Sequence, residues 1–215
     1  MQISYAVTVC NEVEEIKRLI EFLLKHKREQ DQILVLMDLQ KSDFYDKIPE
    51  KEQVHEFIMQ HHVKAHLQVA FRSLNNDFAT FKNNIASYCT GDYIFQIDAD
   101  ELPHEKLIEI LPALLEENSD CDVFLVPRVN TVEGMQQDHM QQWGWAVNEK
   151  GWINWPDNQW RIWKNKPEIK WINKVHERLD GFKSYTVLPE MEEFALYHPK
   201  TIERQIKQNN YYSTI

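Results

Sequence analysis

Residues 94–103, IFQIDADELP, join an apolar run to a cluster of acidic residues. The apolar run predicts a buried strand, and Asp98, Ala99, Asp100 and Glu101 follow directly at its end. In extended backbone, residues two apart project to the same side, so Asp98 and Asp100 would present their carboxylates together. Such a pair predicts either a site for a hard cation or an acidic turn that opens a helix.

Strand and helix patterns alternate through the chain around this stretch. Five short apolar or β-branched runs predict strands at 3–9, 32–38, 65–71, 92–98 and 121–127. Between them, apolar residues recur at helical spacing. The first helix is predicted to begin at an Asn11 N-cap with Glu14 as its capping-box partner, and Pro112 is expected to kink or interrupt the fourth. This alternation predicts an α/β fold with a mostly parallel central sheet and helices on both faces.

The composition fits one acidic domain. A chain of 215 residues is long enough for a sizeable core, and the formal net charge of −10 argues against a nucleic-acid groove. No apolar run approaches the roughly 20 residues needed to span a membrane, and the first residues read as a strand without a signal-peptide pattern. Cys10, Cys89 and Cys121 are odd in number and widely spaced, which predicts reduced thiols. We therefore expect a cytoplasmic protein.

The position of the acidic cluster favours a ligand site over a plain turn. In a parallel α/β sheet, ligands bind at the carboxyl ends of the strands, where Asp98 and Asp100 fall. Two aspartates separated by one residue are weak evidence by themselves, because Asp120 and Asp122 repeat this pattern before a strand, where we expect a solvated turn. We predict Mg²⁺ or Mn²⁺ at residues 98–100, placed to bridge a diphosphate. An acidic turn with a helix cap stays the alternative.

The second half of the chain is rich in tryptophan. All seven tryptophans fall within residues 143–171, with glycines and prolines between them. This pattern predicts irregular loops and short strands over a site, with most of the indole rings in the core.

Four segments, in this order, resemble family 2 glycosyltransferases with the GT-A fold. They are VTVCNEVEEIKRLIEFL (7–23), NNDFATFKNNIASYCTGDYIFQIDADE (75–101), NQWRIWKNKPEIKWINKVHERL (158–179) and YHPKTIERQIKQNNYY (197–212). The resemblance implies one GT-A domain over 1–215, with a nucleotide-sugar-binding half at 1–128 and an acceptor-side half at 129–215. It implies metal-dependent, inverting transfer of a sugar from a nucleoside-diphosphate sugar to a glycan or lipid-linked acceptor. It also implies bacterial cell-surface glycan assembly, with at most peripheral contact at the inner face of the membrane.

The resemblance also implies roles for individual residues. Donor-binding residues would be Val9, Asn11, Glu12, Asp38, Asp77, Asp98 and Arg161. Ligands of Mn²⁺ or Mg²⁺ would be Asp98 and Asp100, with His176 or His198 completing the shell. The family's usual Glu-Asp pair is absent, so the candidate catalytic bases are Asp157 and Glu177.

The residues also allow other functions. The turn after Asp38 departs from the family pattern, and the Glu-Asp pair is missing, as in a catalytically inactive nucleotide-sugar-binding or carbohydrate-binding protein of the same fold. Asn11 could simply cap a helix, and Arg161 could form a surface ion pair. A nucleotidyltransferase would need a glycine-rich phosphate loop after the first strand, and residues 7–15 contain no glycine.

Overall fold

The computed structural model describes residues 1–39, 48–65 and 67–212. Its strands are Ile3–Val9 (β1), Gln32–Asp38 (β2), Gln68–Arg72 (β3), Tyr93–Asp98 (β4), Leu102–Pro103 (β5), Val123–Val126 (β6), Arg128–Glu133 (β7), Gln159–Lys164 (β8), Lys170–Ile172 (β9), Arg178–Asp180 (β10), Tyr185–Val187 (β11) and Leu196–Thr201 (β12). Its helices are Val13–His26 (α1), Ile48–Ala65 (α2), Phe78–Ala86 (α3), Glu105–Glu117 (α4), Gln137–Trp143 (α5) and Ile202–Tyr212 (α6). A short 3-10 helix spans Glu192–Phe194.

A mostly parallel sheet forms the centre, with the strand order β11-β6-β8-β4-β1-β2-β3. Strand β1 pairs in parallel with β2 and β4, and β2 pairs in parallel with β3. Strand β8 lies antiparallel between β4 and β6. The predicted α/β class is confirmed, and β8 comes from the Trp-rich segment, where we expected irregular loops and short strands.

The core lies on both faces of this sheet. On one face, Tyr5 and Phe95 pack with apolar residues of α1, α2 and α4. On the other face, Leu34 and Trp163 pack with α3 and with the β9–β10 hairpin. Because both faces are covered, β1 and β2 are buried along their whole length.

A second sheet, β5-β12-β7, stands beside the carboxyl ends of the central strands. Strand β12 is parallel to β7, and the register places His198 opposite Asn130. This sheet brings residues from both halves of the chain to the edge where β4 ends in Asp98.

Three local expectations were wrong. Helix α1 begins at Val13 with Glu12 at the cap position, so Asn11 and Glu14 form no capping box; instead Glu12 Oε2 accepts from the amides of Cys10 and Asn11, at 2.8 and 3.0 Å. Helix α4 runs through Pro112 without the expected interruption, because buried leucines on both sides of the proline hold it against the sheet. Asp120 lies exposed in a turn as expected, but Asp122 is buried, where Lys164 and Lys166 pair with it.

The tryptophans are also less buried than expected. Trp163 and Trp171 are fully buried, and the other five are half-buried. The turn after Asp38, which departs from the family pattern, falls mostly on residues 40–47, which lie outside the described residues. No helix in the described ranges combines the length and the apolar composition needed to cross a membrane.

Candidate active site

One cavity of about 830 Å³ opens at the carboxyl ends of β1, β2 and β4, facing β12 and α6. Its walls include eleven of the twelve residues that the sequence singled out: Val9, Asn11, Glu12, Asp38, Asp98, Asp100, Asp157, Arg161, His176, Glu177 and His198. The twelfth, Asp77, is not on the cavity wall; it caps α3 by accepting from the amide and hydroxyl of Thr80, both at 2.9 Å. The structure thus gathers candidates that are up to 189 residues apart, from Val9 to His198.

Three hydrogen bonds and one further ion pair hold Asp98 at the end of β4. Its Oδ1 accepts from the Thr8 hydroxyl at 2.7 Å and from the Gln96 amide at 2.8 Å. Its Oδ2 lies 2.9 Å from Arg161 Nη2 and 3.5 Å from Lys82 Nζ. Burial alone would raise the pKa of Asp98, but Lys82 and Arg161 outweigh it and hold the pKa below its usual range. Asp98 is therefore a fixed, ionised group.

Asp100 meets the second sheet and α6 across the cavity. Its Oδ2 lies 3.2 Å from His198 Nε2 and 3.4 Å from Arg204 Nη2. Arg204 also pairs with Glu12 and Glu15 of the α1 start, which ties α6 to the end of β1. Burial, followed by the charge of Asp100, raises the pKa of Glu12, against the opposing effect of Arg204. Arg204 is thus surrounded by three carboxylates, which belong to Glu12, Glu15 and Asp100.

Asp100 and His198 can supply two ligands to a divalent cation. Asn130 donates its Nδ2 to Asp157 at 2.7 Å, so Asn130 Oδ1 faces His198 Nδ1, also at 2.7 Å, and the proton of the neutral ring belongs there. Burial lowers the pKa of His198, although Asp100 opposes the shift. His198 Nε2 and Asp100 Oδ2 form an ion pair when the ring is protonated; in the neutral tautomer described above, both atoms are electron-pair donors that one small cation could bind.

The other predicted ligands fit less well. Both oxygens of Asp98 already accept from protein donors. His176 lines the cavity, but among the described residues no three His, Cys, Asp or Glu side chains form a group that could hold a metal. A cation at this place would therefore complete its shell with water and with phosphate oxygens, as Mg²⁺ commonly does.

The two candidate bases differ in their surroundings. Asp157 accepts from Arg128 at 2.9 and 2.7 Å, from Asn130 at 2.7 Å and from Gln159 at 2.6 Å. Burial would raise the pKa of Asp157, but Arg128 and these donors lower it. Glu177 accepts from Lys82 at 2.6 Å through Oε1, and no described residue donates to its Oε2. Glu177 therefore has the more available oxygen.

Asp38 marks the opposite end of the cavity. Its Oδ1 accepts from the Leu74 amide at 2.9 Å, and its Oδ2 lies 3.6 Å from Cys10 Sγ and 3.8 Å from Lys51 Nζ. Burial raises the pKa of Cys10 to about 12, so the thiol stays neutral. Tyr211 of α6 closes over this end and donates to Asn76 at 2.8 Å.

Several charged residues of the site were missed by sequence reasoning. They are Lys82, Glu101, Arg128, Lys200 and Arg204. Lys82 and Lys200 are buried and line the cavity, as does Arg204. Glu101 directly follows the acidic pair in DADE, and this adjacency was its only signal.

Comparisons with known proteins agree with this architecture. The family model described as glycosyl transferase family 2 matches residues 4–202. The crystal structure of S. aureus TarS matches with a TM-score of 0.60 and 13% identity, covering 93% of this chain and 37% of TarS. TarS 1–349 in complex with UDP-GlcNAc matches with a TM-score of 0.60 and 14% identity, over 93% of this chain and 59% of that one. The same fragment in complex with UDP matches with a TM-score of 0.61 and 13% identity, covering 93% of this chain and 60% of that one.

At this identity the TarS structures show a common fold. The chain spans between about a third and three fifths of the length of the TarS chains that it matches. None of the curated proteins compared matches the chain.

Proposed function

The chain belongs to glycosyl transferase family 2, and from this premise we propose that it transfers a sugar from a nucleoside-diphosphate sugar to a hydroxyl of a glycan acceptor, with inversion at the anomeric carbon. One observation carries the proposal. A single cavity holds the nucleoside-side Asp38, the cation-side Asp100 and His198, and the available carboxylate of Glu177. A displacement at the anomeric carbon needs these three elements together.

The donor would lie along the cavity from Asp38 to Asp100. Asp38 and the end of β1 would face the nucleoside, and the diphosphate would meet Lys200 and Arg204 near Asp100. A protein with a net negative charge needs positively charged side chains such as these near the site to bind a phosphate. Solved structures of TarS contain UDP-GlcNAc and UDP, so uridine nucleotides are the first donors to test.

Asp100 and His198 would hold the divalent cation, Mn²⁺ or Mg²⁺. When bound, such a cation neutralises charge on the leaving diphosphate. Arg161, which lies 2.9 Å from Asp98, keeps that carboxylate oriented beside the site. Lys200 and Arg204 add positive charge on the same side of the cavity.

We assign Glu177 as the general base. In the proposed step, Glu177 takes the proton of the acceptor hydroxyl while the hydroxyl oxygen bonds to the anomeric carbon. The bond from that carbon to the phosphate oxygen breaks, and the nucleoside diphosphate leaves with the electron pair. Proton removal by a positioned carboxylate typically contributes about 10²–10⁴ in rate. Lys82, 2.6 Å from Glu177 Oε1, fixes the side chain while Oε2 stays available.

The acceptor would enter past the tryptophans. Trp145 and Trp160 line the cavity, are half-buried, and come from the Trp-rich half of the chain. Aromatic faces of this kind suit the apolar faces of a pyranose, which favours a glycan acceptor, free or lipid-linked. We place the reaction on the cytoplasmic side, with at most peripheral membrane contact.

Calorimetric titration of UDP, GDP and dTDP sugars, with and without Mn²⁺, tests the proposal on the wild type and on Asp100→Ala. We expect one donor to bind in a Mn²⁺-dependent manner, and this dependence to be lost in the variant. Release of nucleoside diphosphate in the same samples then separates an enzyme from an inactive binding protein, which would bind the donor without turnover. Failure of every donor to bind would overturn the proposal.

A further inference from the structure

Glu101 is a fully buried carboxylate for which the proposed reaction has no direct use. Its side chain is 0% exposed, yet it stands one residue after Asp100. Four donors surround it: Arg161 Nε at 2.9 Å and Nη2 at 2.7 Å, Arg128 Nη1 at 3.0 Å, and the Asp98 amide at 3.2 Å. A carboxylate that is shielded from solvent and binds two guanidinium groups is strongly constrained.

Each of these arginines also binds a carboxylate on the cavity wall. Arg161 donates Nη2 to Asp98 at 2.9 Å, on the side that we assign to the donor. Arg128 donates Nε and Nη2 to Asp157 at 2.9 and 2.7 Å. Arg161 and Arg128 thus share Glu101 as a partner, and each also pairs with a different carboxylate of the cavity wall.

The positive charges of Arg161 and Arg128 explain why the carboxylate of Glu101 is needed between them. Burial would lower the pKa of Arg128, and repulsion by Arg161 acts in the same direction, but Glu101 and Asp157 outweigh both and raise it. Arg161 is 3% exposed, so water cannot screen its charge. Without Glu101, two close guanidinium groups would lose their common counter-ion, and each would turn toward its remaining carboxylate or away from the other.

We propose that Glu101 is a positioning residue: it fixes Arg161 and Arg128, and through them sets the orientation of Asp98 and Asp157 at the same time. Its effect on the reaction rests on the proposed function, whereas its effect on the two arginines does not. A planar guanidinium that donates two hydrogen bonds to one carboxylate has one preferred orientation. The position of Glu101 therefore determines where each arginine can bind its second carboxylate.

The arginine side-chain Nε–H signals in ¹⁵N-resolved NMR spectra test this without any turnover. Arg161→Lys and Arg128→Lys assign the signals. Arg161 Nε–H binds Glu101 directly, whereas Arg128 Nε–H binds Asp157, so a change in the Arg128 signal reports transmission. We expect Glu101→Gln to shift or broaden both signals and to speed their exchange with solvent. An unchanged Arg128 signal in a folded Glu101→Gln would overturn the proposal.

Asp122→Asn is the matched control. Asp122 is a buried carboxylate paired with Lys164 and Lys166 and is absent from the cavity lining. This variant should lose stability without altering either arginine signal or turnover. A change in the arginine signals of Asp122→Asn would show that they report general destabilisation, and would count against the proposal.

Kinetics with the UDP, GDP and dTDP sugars give the second measurement. A misplacement of about 1 Å costs roughly 10²-fold in rate, so Glu101→Gln should lower kcat/KM by about that factor, and Glu101→Asp should recover part of it. Asp157→Asn should cost less in the Glu101→Gln background than in the wild type. If the fold-losses in kcat/KM of the two single variants simply multiplied in the double variant, the two residues would act independently, which would contradict the proposal. If the wild type turns over no donor, the proposed function fails, and the NMR signals alone decide the inference.

Discussion

His198 Nε2 lies 3.2 Å from Asp100 Oδ2, joining the second sheet to the end of the central strand β4. The ring is held from its other side by Asn130, which is itself held by Asp157. The orientation of this histidine therefore depends on three elements that are distant in sequence. Such outer partners commonly decide how well a ligand pair binds its metal.

The first prediction concerns this pair. Asp100→Asn and His198→Gln should each weaken Mn²⁺-dependent donor binding by at least about 10-fold, because each removes one ligand. Calorimetry with the donor at fixed Mn²⁺ measures the effect. His61→Gln is the control, since His61 on α2 contacts the Phe57 carbonyl and is absent from the cavity lining. Unchanged Mn²⁺ dependence in both site variants would rule out this pair as the ligands.

The second prediction separates the two candidate bases. Glu177→Gln should lower kcat by about 10²–10⁴ while donor binding stays close to that of the wild type. Asp157→Asn should act mainly on acceptor KM, because Asp157 is occupied by Arg128, Asn130 and Gln159. Initial rates of nucleoside diphosphate release over a range of acceptor concentrations distinguish the two. The opposite pattern, with kcat lost in Asp157→Asn alone, would transfer the base to Asp157.

The third prediction places acceptor recognition on the tryptophans. Trp145→Ala should raise acceptor KM several-fold and leave donor binding unchanged, because Trp145 lines the cavity. Trp152→Ala is the matched control: Trp152 is also half-buried, packs against Trp155 and Lys150, and is absent from the cavity lining. Equal effects of the two variants on acceptor KM would contradict the assignment.

The fourth prediction concerns stability and pH. Hydrogen bonds from Lys166 and from the Lys183 amide lower the pKa of Asp122 from 3.8 to about 2, against the effect of burial. A lowered folded-state pKa gives stability that is present above about pH 4 and is lost as the pH falls through about 2. Asp122→Asn should therefore cost on the order of 1 kcal/mol at pH 7, since Lys166 is partly exposed and its interaction is screened.

Urea unfolding of both proteins at pH 7 and at successively lower pH measures this difference. The gap in the free energy of unfolding should narrow below pH 4 and approach zero below about pH 2. A gap that stays constant across this range would show that the carboxylate charge of Asp122 contributes nothing.

The donor side of the site was predictable because strand ends obey a general rule. Asp38, Asp98 and Asp100 each follow a strongly apolar run, and carboxyl ends of parallel strands meet at one edge. Sequence alone did not predict β8, because QWRIWK lacks the strict alternation of apolar and polar residues that marks a strand. Once β8 is inserted beside β4, Arg161 reaches Asp98 and Glu101, about 60 residues away in sequence. Pairings at such separations depend on strand order, which local patterns do not contain.

The last prediction concerns the β9–β10 hairpin, whose connecting segment carries His176 and Glu177. Gly181 follows β10 with φ of +83°, and a Cβ there would lie 1.9 Å from the Glu168 carbonyl oxygen. Gly181→Ala should therefore lower the free energy of unfolding by about 3 kcal/mol, since strained φ and overpacking add. Gly151→Ala is the control, because Gly151 has φ of +78° with nothing within 4 Å of the added Cβ, so about 1 kcal/mol is expected from φ alone.

Thermal and urea unfolding of the two variants compare these costs. Below its lowered melting temperature, Gly181→Ala should also lose more turnover than Gly151→Ala, because the displaced hairpin carries Glu177. If both glycine variants lost equal stability, the contact between Gly181 and Glu168 would not be the constraint that holds this hairpin against the sheet.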